Sequence, residues 1–347
     1  MRKPIVTFMI AIAAIAFLTL YRLDYYIVKP GHAYDVSEFI DSEQLYAHEG
    51  TLNLMTVAMQ VATPLSYALS WFDTSSDIAK KTDVRRQDES DKEYEIRQEK
   101  QMADSQFNAK YVAYQKLGLK TKVQFEGLYI VHVVPKGAAE KYLQAGDEVI
   151  AVDGKEVTSL DSFSKTIASK KENENVALTF IRQGKEHKVT IALKPIPNDA
   201  KGRTGLGVAY NAAQTIITEP AIELEASDIG GPSAGLMFTL GIMNALSEED
   251  LTKGYDVAGS GTMNLDGTVG AIGEIGKKVI AAHRDGMAYF FALATPLDDA
   301  YKKSFPDAQT NYEEAQAMAQ TIGTKMEIVP VSSIDDALAF LAQLPPK

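Results

Sequence analysis

Two short stretches hold the residues whose types and spacing suit acyl-transfer chemistry. The first reads Gly230-Gly231-Pro232-Ser233-Ala234-Gly235 and runs on into a mostly apolar segment, Leu236 to Leu246. Proline pre-sets the backbone for a first helical turn, so Ser233 is predicted at a helix N-terminus. Unpaired backbone N–H groups and the positive end of the helix dipole favour an alkoxide or a tetrahedral oxyanion there. The same position suits a serine that merely caps the helix, and these residues alone leave both readings open.

A serine nucleophile needs a base. Gly231-Pro-Ser-Ala-Gly235 has the Gly-x-Ser-x-Gly form of a nucleophile elbow, which would call for a histidine. His283, the one histidine downstream of Ser233, falls in the helical run Val279 to Arg284 and not in a loop. The second stretch, Val257 to Gly286, supplies lysines instead. It reads as a strand, glycine-rich turns, and a helix that opens on Lys277 and Lys278 and is closed by Gly286. A lysine acts as a base only when neutral. Bringing its pKa from roughly 10.4 to about 7 takes on the order of 4 to 5 kcal/mol of desolvation and electrostatic pressure, which a buried position would provide. Of the two, Lys277 reads as solvated.

The chain around these stretches has 347 residues, 46% hydrophobic and 23% charged, enough for two or three packed domains. Its formal charge of −11 argues against a phosphate-backbone binder, so no nucleic-acid partner is expected. The absence of cysteine excludes disulfides, thiol nucleophiles and thiolate metal sites. His32, His48, His132, His187 and His283 are scattered without metal-ligand spacing, and no Gly-x-x-x-x-Gly-Lys-Ser/Thr loop occurs. No metal, cofactor or nucleotide is therefore expected.

Met1-Arg2-Lys3 precedes an uncharged run of 18 residues, Pro4 to Tyr21. About 20 apolar helical residues span a bilayer, so residues 1–24 are expected to form a single transmembrane anchor, basic end in the cytoplasm and the remaining chain outside. The run ends in Leu20-Tyr21-Arg22 and Tyr25-Tyr26, without the small-residue exit of a cleaved signal. Residues 25–72 alternate apolar runs with turn residues, which gives strands and then a helix. Residues 73–104 carry dense charge of both signs, as in Lys80-Lys81, Arg85-Arg86 and Asp88-Glu89-Ser90-Asp91-Lys92-Glu93, and read as a solvated surface element. Met102, Gln106, Ala109, Val112 and Ala113 recur at helical spacing and are predicted to pack inward. A strand over Ala221 to Ala226, just upstream of Ser233, is placed to pair with an extended substrate.

From Val123 to Pro197 the pattern is that of a small β-rich module with turns at Asp153-Gly154 and Gln183-Gly184. Its run Gly127-Leu128-Tyr129-Ile130-Val-His-Val-Val-Pro-Lys-Gly-Ala-Ala, continuing to Gly146-Asp-Glu-Val-Ile-Ala-Val-Asp-Gly154, resembles a PDZ domain of the bacterial protease-associated type. The resemblance implies that an extended peptide adds as a strand, with Gly127, Leu128, Tyr129 and Ile130 as the peptide-binding residues. Tyr129 stands where many relatives carry glycine.

The Ser233 and Val257–Gly286 stretches together resemble the proteolytic domain of Lon-type serine proteases. The likeness rests on Pro232-Ser233-Ala234-Gly235, on the glycines of the second stretch and on Ala281-Ala282-His283-Arg284. It implies a dyad of Ser233 and Lys278, 45 residues apart, with Ser260 orienting the lysine. The order of landmarks is similar to the membrane-anchored, PDZ-containing Lon-like proteases of Gram-positive bacteria, the SepM/YlbL group. The fold so implied is α+β: a transmembrane helix (1–24), an N-terminal portion of the Lon-like domain with a charged helical segment (25–122), an inserted PDZ domain (123–197) and the catalytic portion (198–347). The role implied is ATP-independent serine endopeptidase cleavage of exported proteins or peptides at the outer face of the cytoplasmic membrane, the PDZ domain assisting. A non-catalytic, membrane-tethered PDZ scaffold is the alternative, and the oligomeric state is left open.

Overall fold

The computed structural model describes residues 2–86, 89–226 and 229–347, with side chains from Ile5 onward. Expectations that rest on Met1, on the Arg2 and Lys3 side chains and on Asp88 lie outside these residues. The chain forms two compact units. Residues 1–89, 104–117 and 222–347 make up the first, and residues 90–103 and 118–221 the second.

The first unit opens with helix α1 (Arg2–Leu20). Residues 1–24 carry the expectation of a spanning anchor, and here the structure departs from it: among the described residues no helix is long and apolar enough to cross a membrane. Helix α1 has 19 residues and rises about 28 Å. Strands β1 (Tyr25–Asp35) and β2 (Thr51–Val61) follow as an antiparallel pair. Helix α2 (Pro64–Ser70), which starts on proline behind a Thr63–Ser66 capping box, leads to β3 (Asp77–Lys80) on the far side of β1. Helix α3 (Asp91–Leu117) buries Met102, Ala109, Val112 and Ala113 and leaves Gln106 partly exposed, in keeping with their helical spacing.

The second unit is built on an antiparallel sheet of β4 (Lys120–Val133), β5 (Glu148–Val152), β6 (Asn175–Arg182), β7 (Lys185–Ala192) and β8 (Val208–Glu219). Helix α4 (Leu160–Ala168) lies between β5 and β6 in sequence, and the strand order is β8-β4-β5-β6-β7. Gln183 and Gly184 both take positive φ, 50° and 72°, the geometry that lets a two-residue turn follow the twist of the β6–β7 hairpin. Leu128, Ile130, Val149, Phe163, Leu178 and Phe180 form the centre of its core.

The remainder of the first unit runs α5 (Gly235–Ala245), β9 (Asp256–Ser260), α6 (Ile275–Arg284), β10 (Tyr289–Leu293), α7 (Asn311–Ile322), β11 (Glu327–Val331) and α8 (Ile334–Gln343). Its sheet has the order β11-β10-β9-β2-β1-β3, parallel from β11 to β2 and antiparallel beyond. Val257, Ala258, Phe290 and Phe291 are wholly buried, the continuous apolar run of parallel strands covered on both faces. Helix α5 is apolar all round and every residue of it is buried, as a core helix requires. The observed class is mixed α/β, and residues 25–80 supply β1, β2 and β3. The strand predicted over Ala221 to Ala226 shrinks to Glu223–Leu224, which pairs with Ile40–Asp41. Pro220 withholds a donor ahead of it, and a chain segment far off in sequence takes one edge.

Candidate active site

Ser233 sits on a turn, two residues ahead of the first residue of α5. Gly231 takes φ 89°, a left-handed value that suits glycine, and so swings the chain into Pro232. Three contacts then fix the turn. Ser105 Oγ donates to the Pro232 carbonyl at 3.1 Å, Gly261 N–H donates to the Ser233 carbonyl at 3.0 Å, and Ser260 Oγ donates to the same carbonyl at 3.1 Å. Gly235 is small for a reason: a Cβ there would lie 2.7 Å from Met263 N and 3.0 Å from Ser105 Oγ. The serine therefore stands beside the carboxyl end of β9, the end of parallel strands where α/β sheets place their ligands. Its side chain does not cap the helix, because the residue before α5 is Ala234 and no side-chain cap is formed.

Lys278 comes from the first turn of α6 and is 4% exposed. Its Nζ lies 2.6 Å from Ser233 Oγ and 2.8 Å from Ser260 Oγ. In the ammonium form the lysine donates to both hydroxyls; once neutral, its lone pair accepts the Ser233 proton. Burial brings the Lys278 pKa down to about 7, with the nearby Glu274 carboxylate pulling the other way. Glu274 itself is held above the usual carboxyl range, first by desolvation and then by Asp77. The three residues singled out as Ser233, Lys278 and Ser260 thus meet at one point, where a buried amine faces two hydroxyls.

Lys277 departs from the solvated reading. It is 5% exposed and pairs with Asp77 at 2.7 Å. The partner sits on β3, 200 residues earlier, so nothing near Lys277 in sequence marks it. His283 is exposed in the last turn of α6, where it does not serve as the base of an elbow serine. Ser105 and Gly261, which hold the serine turn, escaped sequence reasoning. Ser105 belongs to a helix read only for its apolar spacing, and the role of Gly261 lies in its backbone N–H.

Gly127, Leu128, Tyr129 and Ile130 belong to the second unit, within β4. All four are paired with β8, and two of them with β5 as well. Leu128 and Tyr129 face Val149 and Glu148 of β5, while Gly127 to Ile130 face Ala213, Ala212, Asn211 and Tyr210 of β8. Leu128 and Ile130 are wholly buried, and Lys100 Nζ stands 5.3 Å from the centre of the Tyr129 ring.

Comparison with known proteins gives these two regions their classes. Residues 115–193 match the PDZ domain family, and residues 225–343 match the Lon protease (S16) C-terminal proteolytic domain. Among curated relatives, a probable periplasmic serine protease, do/HhoA-like, of Haemophilus influenzae is 36% identical over 20% of this chain and 15% of its own. Lon protease 1 of Sorangium cellulosum is 31% identical over 33% of this chain and 12% of its own. The crystal structure of the PDZ domain of an SdrC-like protein from Listeria monocytogenes is 31% identical, covers 26% of this chain and 92% of that domain, and superposes with a TM-score of 0.24. The chain thus carries a PDZ domain and a Lon-type proteolytic domain, and it spans only 12% to 15% of the length of these curated relatives.

Proposed function

We propose that this protein is an ATP-independent serine endopeptidase of the Lon type in which Ser233 is the nucleophile and Lys278 the general base. The observation that carries the reading is the buried Lys278 amine 2.6 Å from the Ser233 hydroxyl. Neutral Lys278 takes the Ser233 proton as Oγ attacks the peptide carbonyl carbon. Backbone N–H groups of the turn that opens α5 stabilise the oxyanion of the tetrahedral intermediate. As the intermediate collapses, the C–N bond breaks and Lys278 returns its proton to the leaving amine. Lys278 then deprotonates water, which attacks the acyl carbon, and as the ester bond to Ser233 breaks the lysine returns that proton to Oγ. Ser260 positions the amine.

Substrates in this proposal are exported proteins or peptides, taken up with help from the PDZ domain and cut at the outer face of the cytoplasmic membrane, as the likeness to the membrane-anchored Lon-like group suggests. Support for membrane attachment comes from surface chemistry and not from a full span. Phe8, Met9, Ile10, Ile15, Phe17 and Leu20 of α1 are each more than half exposed, and an all-round apolar helix needs an apolar surrounding. Trp71 and Phe72, just past α2, are 72% and 87% exposed, and aromatic rings favour the membrane–water interface.

The test is cleavage of a denatured, exported-type polypeptide together with labelling by a serine-directed fluorophosphonate. Ser233→Ala and Lys278→Ala are each expected to lower cleavage by roughly 10³-fold or more and to abolish labelling. Normal turnover by Lys278→Ala would reject the dyad; absence of both labelling and cleavage in the unaltered chain would favour the scaffold reading.

A further inference from the structure

Strand direction decides which way Ser233 and Lys278 face. Strands β2 and β9 run parallel, with Asp256 to Gly259 opposite Thr51 to Leu54. The carboxyl end of β9, where Ser260 and Gly261 hold the serine turn, therefore points the same way as the carboxyl end of β2. Strand β2 continues past Leu54 to Val61, paired with β1 and rising a further 20 Å or so, about 3.3 Å per residue. Helices α1 and α2 meet the sheet at that far end. Leu23 N–H donates to the Ala62 carbonyl and Ala62 N–H to the Tyr25 carbonyl, both at 2.8 Å, so α1 enters the sheet where β2 leaves it. Helix α2 starts at Pro64 and packs against α1. A separate contact gives the same order. Lys277, next to Lys278 in the first turn of α6, pairs with Asp77; Asp77 lies opposite Val28, and Val28 opposite Met59. The first turn of α6 thus stands alongside the stretch of β2 between Leu54 and Val61. All of these elements belong to the first unit.

The level where α1 and α2 meet the sheet carries a tier of aromatic rings. Phe17 and Tyr21 stack at 5.0 Å at the end of α1, and Tyr67 of α2 stands 5.3 Å from Tyr25 and 6.0 Å from Trp71. Leu65 and Leu69, one turn apart on α2, are exposed, as are Trp71 and Phe72. Amphipathic rings gather at the headgroup level of a bilayer, with apolar side chains sunk just below them. The exposed surface of α2 adjoins that of α1, so one occupant, a lipid surface, covers both. With 7 residues α2 is too short to hold the chain alone. Beside α1 it fixes which end of the first unit lies toward the lipid.

We infer that the end of the sheet bearing Ser233 and Lys278 faces the lipid surface across about 20 Å, and that the substrates are polypeptides anchored in that surface and cut in the stretch that leaves it. At about 3.3 Å per extended residue, the first bonds within reach lie roughly six residues from the bilayer. A fixed height also excludes the same segment when a rigid stem lifts it far above the site. The orientation rests on the membrane attachment in the proposed function, and the substrate class rests in addition on the dyad.

Two readouts on the full chain, in phosphatidylcholine–phosphatidylglycerol vesicles, keep these parts distinct. Gly273, just ahead of α6, is exposed, and a Cβ there would meet nothing within 4 Å. Glu49, at the opposite end of β2, is exposed too, and the chain has no native cysteine to interfere. Gly273→Cys and Glu49→Cys, each carrying a maleimide coumarin, are read for energy transfer to a rhodamine-labelled lipid, which needs no catalysis. The Gly273 dye is expected to transfer roughly threefold faster or more, being nearer the lipid by about 15 Å. Equal transfer, or faster transfer from Glu49, in a chain that floats with the vesicles overturns the inference and leaves the attachment standing; a chain that does not float overturns both. Trp71 is the single tryptophan, so brominated lipid should quench the emission of the unaltered chain, and an unquenched floating chain also overturns the inference. The substrate class is read with an unstructured casein segment of about 20 residues, joined to a lipid directly or through a helical spacer of about 40 residues and 60 Å. On vesicles the direct form should be cut roughly tenfold faster or more, and in detergent the two should be cut alike. Equal cutting on vesicles overturns the substrate class, as does cutting of neither form; fluorophosphonate labelling of Ser233 in that last case shows that the dyad itself is sound.

Discussion

Lys278 carries a pKa near 7, so about half of its amines are neutral at neutral pH. Cleavage should rise through about pH 7 to an alkaline plateau, read as kcat/KM against pH. The same burial weakens the fold. A lysine whose pKa is lower when folded binds fewer protons in the native state, so its cost is fully present below the folded value of about 7 and fades as pH climbs toward the unfolded value, roughly 10.4. Lys278→Met should therefore raise stability, by up to about 4 kcal/mol at pH 5 and by little at pH 10. An equal gain across that range, measured by denaturant titration, would show that burial is not the cause. Ser260→Ala removes an acceptor from the ammonium and one of two donors from the Ser233 carbonyl, leaving Gly261 N–H in place. It should lower kcat roughly tenfold to a hundredfold with KM unchanged, and move the midpoint of the pH profile downward, which a purely structural defect would not do. Ser233, Ser260 and Lys278 were legible because each sits in a short motif with fixed glycines around it. The environment that lowers the lysine pKa was not, since it is assembled from several elements.

At the scale of elements, the Lys277–Asp77 pair ties α6 to the edge strand β3. Lys277 is buried and Asp77 largely exposed, so the two partners are not equivalent. Asp77→Ala strands a buried ammonium and should cost about 1–3 kcal/mol, whereas Lys277→Met removes the charge and should cost less. Urea unfolding of both variants checks the order, and the reverse order would mean that Lys277 contributes through more than its pairing with Asp77. Gly235→Ala tests the serine turn in the same way. Its Cβ would press on Met263 N and Ser105 Oγ, so loss of cleavage with a stability cost of roughly 1–3 kcal/mol is expected. Elements such as α5 and β9 could be read from their apolar runs. The pairing of β2 with β9 could not, because period and propensity specify a strand and not its neighbour.

For the whole molecule, the exposed apolar surface of α1 is the feature with the largest consequence for where the protein resides. Under the membrane attachment proposed above, deletion of residues 1–24 should shift the chain from the membrane to the soluble fraction while Ser233 stays open to the fluorophosphonate. Retention in the membrane fraction would place the attachment elsewhere. The position of β8 shows the limit of sequence at this scale. Val208-Ala-Tyr-Asn-Ala-Ala-Gln-Thr-Ile-Ile-Thr-Glu219 carries no mark of its partner, and only the folded sheet reveals that β4 has it as a neighbour.

The parallel contact between β2 and β9 joins Thr51 to Asp256, and the Thr51 hydroxyl donates to the Asp256 carboxylate at 2.8 Å across 205 residues of chain. During synthesis at about 5–20 residues per second, β2 leaves the ribosome roughly ten to forty seconds before β9 exists. Through that interval one edge of the proteolytic sheet has no neighbour, while every strand of the second unit is already made. Newly made chain is thus most vulnerable to faulty pairing in β1, β2 and β3, and the sheet of the first unit closes only after the PDZ-bearing unit has been translated.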